Sequence, residues 1–293
     1  MPLFGPPDIE ALIAKKDVKG LKKAMNHKDF DIREDAYAGL KFLEATQKVQ
    51  DAVLKTKSPD PATRAEGAKE IGWNKWDDGL SGHVLGKLIR HDPDVAVRRQ
   101  AVAAIGSLRL WTRIDVLIEM LGDPDETIRK NAVWALGVID TIKVGDSPAS
   151  IQDSLLRILA EDTPVVRAAA AGTLSRWFVD ELYDSRVKGL MHDPDEQVRQ
   201  KTADGLGMAA KVSHNRRAIQ ALLELLRDEN DVVRFNAARD LGEVGATQYE
   251  ADDPFWQGFV DDLKTAEQKE TTDEVRSLLH GALVRTLKLQ GFR

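Results

Sequence analysis

The chain has 293 residues, of which 42% are hydrophobic, carries a net charge of −6 and contains no cysteine. That length suits one or two ordinary domains or a single repeat array. The missing cysteines exclude disulfides and thiolate metal sites, and the mildly acidic balance supplies no general field for nucleic acid.

The opening stretch MPLFGPPDIEALIAKK has neither the basic nor the apolar region of a secretory signal. No apolar run approaches the roughly 18 residues that a spanning helix needs. The expected location is therefore cytoplasmic, with no membrane partner. Residues 6–28 read as N-terminal capping helices and the start of a first repeat.

From there one pattern recurs. Copies align on Arg33, Arg64, Arg98, Arg129, Arg167, Arg199, Arg234 and Arg276, spaced 31–42 residues apart, a period that marks a helical solenoid. Four residues before each arginine stand Asp29, Asp60, Asp94, Asp125, Thr163, Asp195, Asn230 and Thr272. All are residue types whose side-chain oxygen caps a first helical turn. Pro61 and Pro164 follow their caps where a missing amide costs nothing.

One residue before and three and seven after the arginine lies an apolar stripe at helical spacing, as in Val97, Ala101 and Ile105 or Ile128, Ala132 and Leu136. Gly72, Gly106, Gly137, Gly207 and Gly242 come next and read as C-terminal stops. Amphipathic segments such as VKGLKKAM, HVLGKLIR and AIQALLELL fill the gaps. Each unit is thus two antiparallel helices. The expected architecture is all-α, an α-solenoid of about eight two-helix repeats, as one array over 1–293. Its regular repeats run over 29–253, and an irregular C-terminal capping repeat covers 254–293. The longer loops near 140–150 and 244–254 give no reason to divide it.

The motif D-P-D-x-x-[VI]-R-x-x-A-x-x-x-[LI]-G, clearest at 92–106 and 123–137, resembles the HEAT-repeat family, specifically the HEAT-like subgroup of the phycobilisome lyase type. The resemblance covers about 29–285. It implies that the repeated arginine and the cap aspartate form a ladder between adjacent repeats, a scaffolding role. It says little about function, because the family holds scaffolds, adaptors and some enzymes.

Catalytic constellations are missing. GLGMAA at 205–210 matches a dinucleotide fingerprint but follows no strand, and GHVLGKL at 82–88 lacks the hydroxyl residue of a phosphate loop. Resemblance to deoxyhypusine hydroxylases would require His-Glu pairs, and no histidine here precedes a glutamate. Trp111 and Asp115 offer the spacing of an alkylpurine DNA glycosylase without its basic groove. Nothing marks a bilin site. Catalytic, cofactor and metal residues are therefore expected to be none.

At 100° per residue the core stripe centres near about −60° from the arginine, so positions −2, +1, +2, +5 and +9 face away from it. That face carries Arg99, Lys130, Asn131 and Trp134, then a recess of small residues at Ala168, Ala169 and Gly172, then Lys201, Phe235 and Arg239. An aromatic beside an apolar floor with a basic and amide rim suits a protein or peptide. The expectation is a monomeric, non-enzymatic scaffold or adaptor binding a partner segment there; the alternative is an enzyme or lyase subunit. Trp73 and Trp76 are expected to clamp a turn, Trp177 to lie near the core and Trp256 to anchor its helix.

Overall fold

A computed structural model describes residues 6–74, 78–139, 148–248 and 253–288. Trp76 and most of the two longer loops lie outside them. Among the described residues every regular element is helical, and the chain divides into two compact units, 1–144 and 145–293.

The first unit holds α1 (Ile9–Ala14), α2 (Val18–Ala24), α3 (Phe30–Glu44), α4 (Gln47–Lys55), α5 (Pro61–Asn74), α6 (Asp78–His91), α7 (Val95–Leu108), a 3-10 turn at Trp111–Arg113, α8 (Ile114–Met120) and α9 (Glu126–Val138). The arginine-bearing helices α5, α7 and α9 stack on one another, each backed by the helix before it in the chain. α3 departs from this pattern: it packs on α6 together with α1 and α2.

The second unit holds α10 (Pro148–Glu161), α11 (Pro164–Trp177), α12 (Val179–Leu182), a π turn at Tyr183–Val187, α13 (Lys188–Leu190), α14 (Glu196–Ser213), α15 (Arg216–Leu225), α16 (Asp231–Gln248), α17 (Pro254–Lys269) and α18 (Asp273–Lys288). Here α11, α14, α16 and α18 stack in sequence.

The stripe is the core. Val97, Ala101, Ile105, Ile128, Ala132 and Leu136 are buried in the first unit, and Val166, Ala170, Leu174, Val198, Leu206, Val233, Leu241, Val275 and Leu283 in the second. Asp29, Asp60, Asp94, Asp125, Asp195 and Asn230 each accept from a first-turn amide. The two threonines behave otherwise. Thr163 makes no cap bond, and the Thr272 hydroxyl accepts from Arg234 instead.

The ladder exists, mostly with a different partner from the cap aspartate; among the described residues the one motif arginine that reaches a cap aspartate is Arg167, on Asp195 at 3.9 Å, beside Asp193 at 3.8 Å. Arg64 grips Asp92 with two bonds of 2.7 and 2.8 Å, Arg199 grips Asp228 at 2.8 and 3.2 Å, and Arg234 grips Glu270 at 2.8 and 3.0 Å. Asp92 and Asp228 stand two residues before their caps. Asp94 caps Ala96 and Val97, whereas Asp92 and Asp228, each also accepting the amide of its own cap residue, meet the arginine of the preceding repeat. Each of these arginines also ties down its own turn, Arg64 through the carbonyls of Ser58 and Pro59. Arg33 keeps that local bond but has no acidic partner among the described residues, as expected once α3 leaves the stack.

The motif glycines are not stops. Gly72, Gly106, Gly207 and Gly242 lie inside their helices, which run on past them. A Cβ on Gly72 would come within 2.7 Å of Ala104, and one on Gly106 within 2.5 Å of Trp134. The missing side chain lets neighbouring arginine helices touch.

Candidate protein-binding face

On the outward face of α5, α7 and α9 the first unit carries two exposed tryptophans. Trp73 is 82% exposed and Trp134 44%. Trp134 lies with its ring edge over Gly106 of α7, so its ring is held from one side and open on the other. Arg99, one turn into α7, is locked to Asp125 at 2.5 and 2.9 Å. That guanidinium, with the Ile128 amide, holds the Asp125 carboxyl down at about 2. Lys130 makes no ion pair among the described residues, and Asn131 beside it is half-buried. Neighbouring packed helices lie about 8–10 Å apart, so α5 to α9 spans roughly 20 Å. An extended segment of about six residues covers that distance.

Trp73 lies in the last turn of α5 and not in the turn that its flanking residues suggest. It stands nine residues after Arg64, one of the outward positions, so the helical register contained the signal. The flanking GWNKWDDG pattern pointed to a loop instead.

In the second unit the proposed recess is largely filled. Ala168 is 4% exposed and belongs to a core cluster with Ala171, Leu190 and Val198. It is therefore core and not an open floor. A Cβ on Gly172 would meet the Lys201 carbonyl at 2.9 Å, and one on Gly205 would meet the Gly172 carbonyl at 2.1 Å. The small residues let α11 and α14 cross in contact. Ala169 and Phe235 are half-buried. Lys201 pairs with Asp204 at 2.8 Å, and Arg239 with the buried Asp240 at 2.9 Å.

The other aromatics and acids are engaged structurally. Trp256 is buried edge-on between Phe255 and Phe259, and Trp177 carries Arg176 over its ring at 4.6 Å. Asp115, the acid of the glycosylase spacing, pairs with Arg90 at 3.0 Å. Among the described residues no group of three or more histidines, aspartates or glutamates is placed to hold a metal, and no helix is long and apolar enough to cross a membrane.

The family model for HEAT repeats matches residues 83–175 and 183–281, well over half the chain. The chain belongs to the HEAT-repeat family. Among curated proteins it is similar to the uncharacterized phycocyanin operon protein Y of Pseudanabaena tenuis, with 40% identity over 76 residues. That match takes in 25% of this chain and 17% of the relative's length. Among solved structures, its HEAT repeats are similar to the complex of CpcE and CpcF of phycocyanin lyase from Nostoc, at 16% identity, 83% and 96% coverage of the two chains and a TM-score of 0.50. They are also similar to YibA of E. coli, at 17% identity, 97% and 100% coverage and a TM-score of 0.49.

Proposed function

We propose that this HEAT-repeat protein is a non-enzymatic interaction module that holds an extended segment of a partner protein across α5, α7 and α9. The carrying observation is that two tryptophans are exposed on stacked helices, with Lys130, one turn before Trp134 on α9, unpaired among the described residues. Tryptophan anchors of this kind carry much of the energy in protein interfaces, roughly 2 kcal/mol or more each. Lys130 favours an acidic or amphipathic segment. Arg99 contributes less, because Asp125 already neutralises it. Arg239 and Lys201 of the second unit are likewise paired, and Phe235 there is half-buried.

Affinity capture with wild type, Trp73→Ala, Trp134→Ala and Lys130→Ala, read by quantitative mass spectrometry, tests the reading. A protein retained by wild type and lost from the variants, with helical content unchanged, supports it. Equal recovery with all four removes this face as the site.

A second reading is a lyase subunit, favoured by the phycocyanin operon relative and the phycocyanin lyase structure. Titration with a bilin, followed by quenching of tryptophan fluorescence, separates the two. Saturable quenching favours the lyase reading, and its absence leaves the interaction module.

A further inference from the structure

The N-terminal helices of the first unit enclose a cavity on residues separate from the tryptophan face. Because α3 packs on α6 and not on α5, a space of about 280 Å³ remains between α1, α3, α4 and α6. That is near the lower end for small-molecule sites, roughly 300–1,000 Å³. Ile13, Phe42, Val53, Leu80, Val84 and Leu88 supply apolar walls.

Its polar mouth is built from charges that are already matched, with one atom left over. Lys57 pairs with Glu10 at 2.9 Å. Asp35 receives His83 Nε2 at 2.8 Å and Lys87 Nζ at 2.5 Å, both on Oδ1. Burial holds the His83 imidazole below its ordinary pKa, so it stays neutral at pH 7. No hydrogen bond to Asp35 Oδ2 forms among the described residues, and the Asp35 side chain is 28% accessible.

We propose that this cavity binds a small apolar amine, with its hydrocarbon between α1, α3, α4 and α6 and its ammonium on Asp35 Oδ2. A carboxylate of the same size is disfavoured. Both lysines at the mouth are already paired, so neither is free to receive an anionic head, which would also meet the open oxygen of Asp35.

The test titrates the full chain at pH 7.5 and fixed ionic strength with n-hexylamine, n-hexanol and hexanoate, read by calorimetry and ligand-observed NMR. The expected result is saturable one-to-one binding of hexylamine, with hexanoate at least about tenfold weaker. Asp35→Asn weakens hexylamine by about tenfold or more, the scale of a hydrogen bond to a charged group, while hexanol is little changed. Ala38→Phe, which fills the cavity from α3, removes binding of hexylamine and hexanol alike. Val84→Phe serves the same purpose from α6 if the first variant does not fold. Hexanoate binding as tightly as hexylamine, a folded filled variant binding like wild type, or no saturable binding to about 10 mM overturns the assignment.

Discussion

Arg234 and Glu270 show how one motif position becomes energy. Burial alone would raise the Glu270 carboxyl. Two bonds from Arg234 and the amides of Thr272 and Thr271 outweigh it and hold the group down from 4.5 to about 2. A carboxyl whose pKa falls on folding contributes stability that is complete above its unfolded value and lost as pH falls through the folded one. The urea midpoint should therefore be level from pH 7 to about 5 and decline between 4.5 and about 2. Asp125 should act in the same direction but more weakly, since its Arg99 partner is 42% exposed. Glu270→Gln should lower stability at pH 7 by about 2–3 kcal/mol, near the cost of breaking a buried pair, and flatten the acid decline. An unchanged acid slope would show that the pair is not the source. The rungs also differ among themselves. Arg199→Ala, which removes the grip on Asp228, should cost about 3 kcal/mol. Arg33→Ala should cost about 1, because Arg33 bonds only local carbonyls, which chemical denaturation can resolve. The arginine and the caps were legible in the sequence because their roles are local. The acidic partner was not, since it stands two residues before the cap and only the placement of the next repeat brings it to the arginine.

At the scale of the helix, the small residues govern how closely neighbours stack. A motif glycine after a leucine looks the same on paper whether it ends a helix or receives another one. α14 and α16 run 18 residues each, through Gly207 and Gly242, because the next arginine helix lies against those positions. Gly205→Ala would drive a Cβ to 2.1 Å from the Gly172 carbonyl. It should destabilise by about 1–3 kcal/mol despite the better helix former. Gly258 in α17 has nothing within 4 Å of its would-be Cβ, so Gly258→Ala should stabilise by about 0.5–1 kcal/mol. Paired thermal melts decide; two changes of the same sign would contradict close helix crossing as the glycines' role. The same physics explains the recess at Ala168 and Gly172. Small residues leave room for either a ligand or a helix, and here α14 occupies it.

For the whole chain, the repeat period alone reached the solenoid, since stacked two-helix units are the arrangement that buries such a stripe. What it missed were departures from periodicity. α3 swings onto α6, and Trp73 stands in the open on the last turn of α5. Both depend on where the neighbouring element goes, which no repeat pattern records. In a repeat array the scaffold is common to every copy and the use lies in what differs. Trp73, Lys130 and Trp134 are such differences, and they fall on one stacked set of helices.

The most direct test of that claim is a binding isotherm between the purified chain and its captured partner, for wild type, Trp73→Ala and Trp134→Ala. Loss of each anchor should weaken the dissociation constant by about 30-fold, equivalent to about 2 kcal/mol, with Trp134→Ala lowering stability by no more than about 1 kcal/mol for its lost contact with Gly106. Dissociation constants within a factor of two of wild type for both variants would contradict the account and remove α5, α7 and α9 as the binding face.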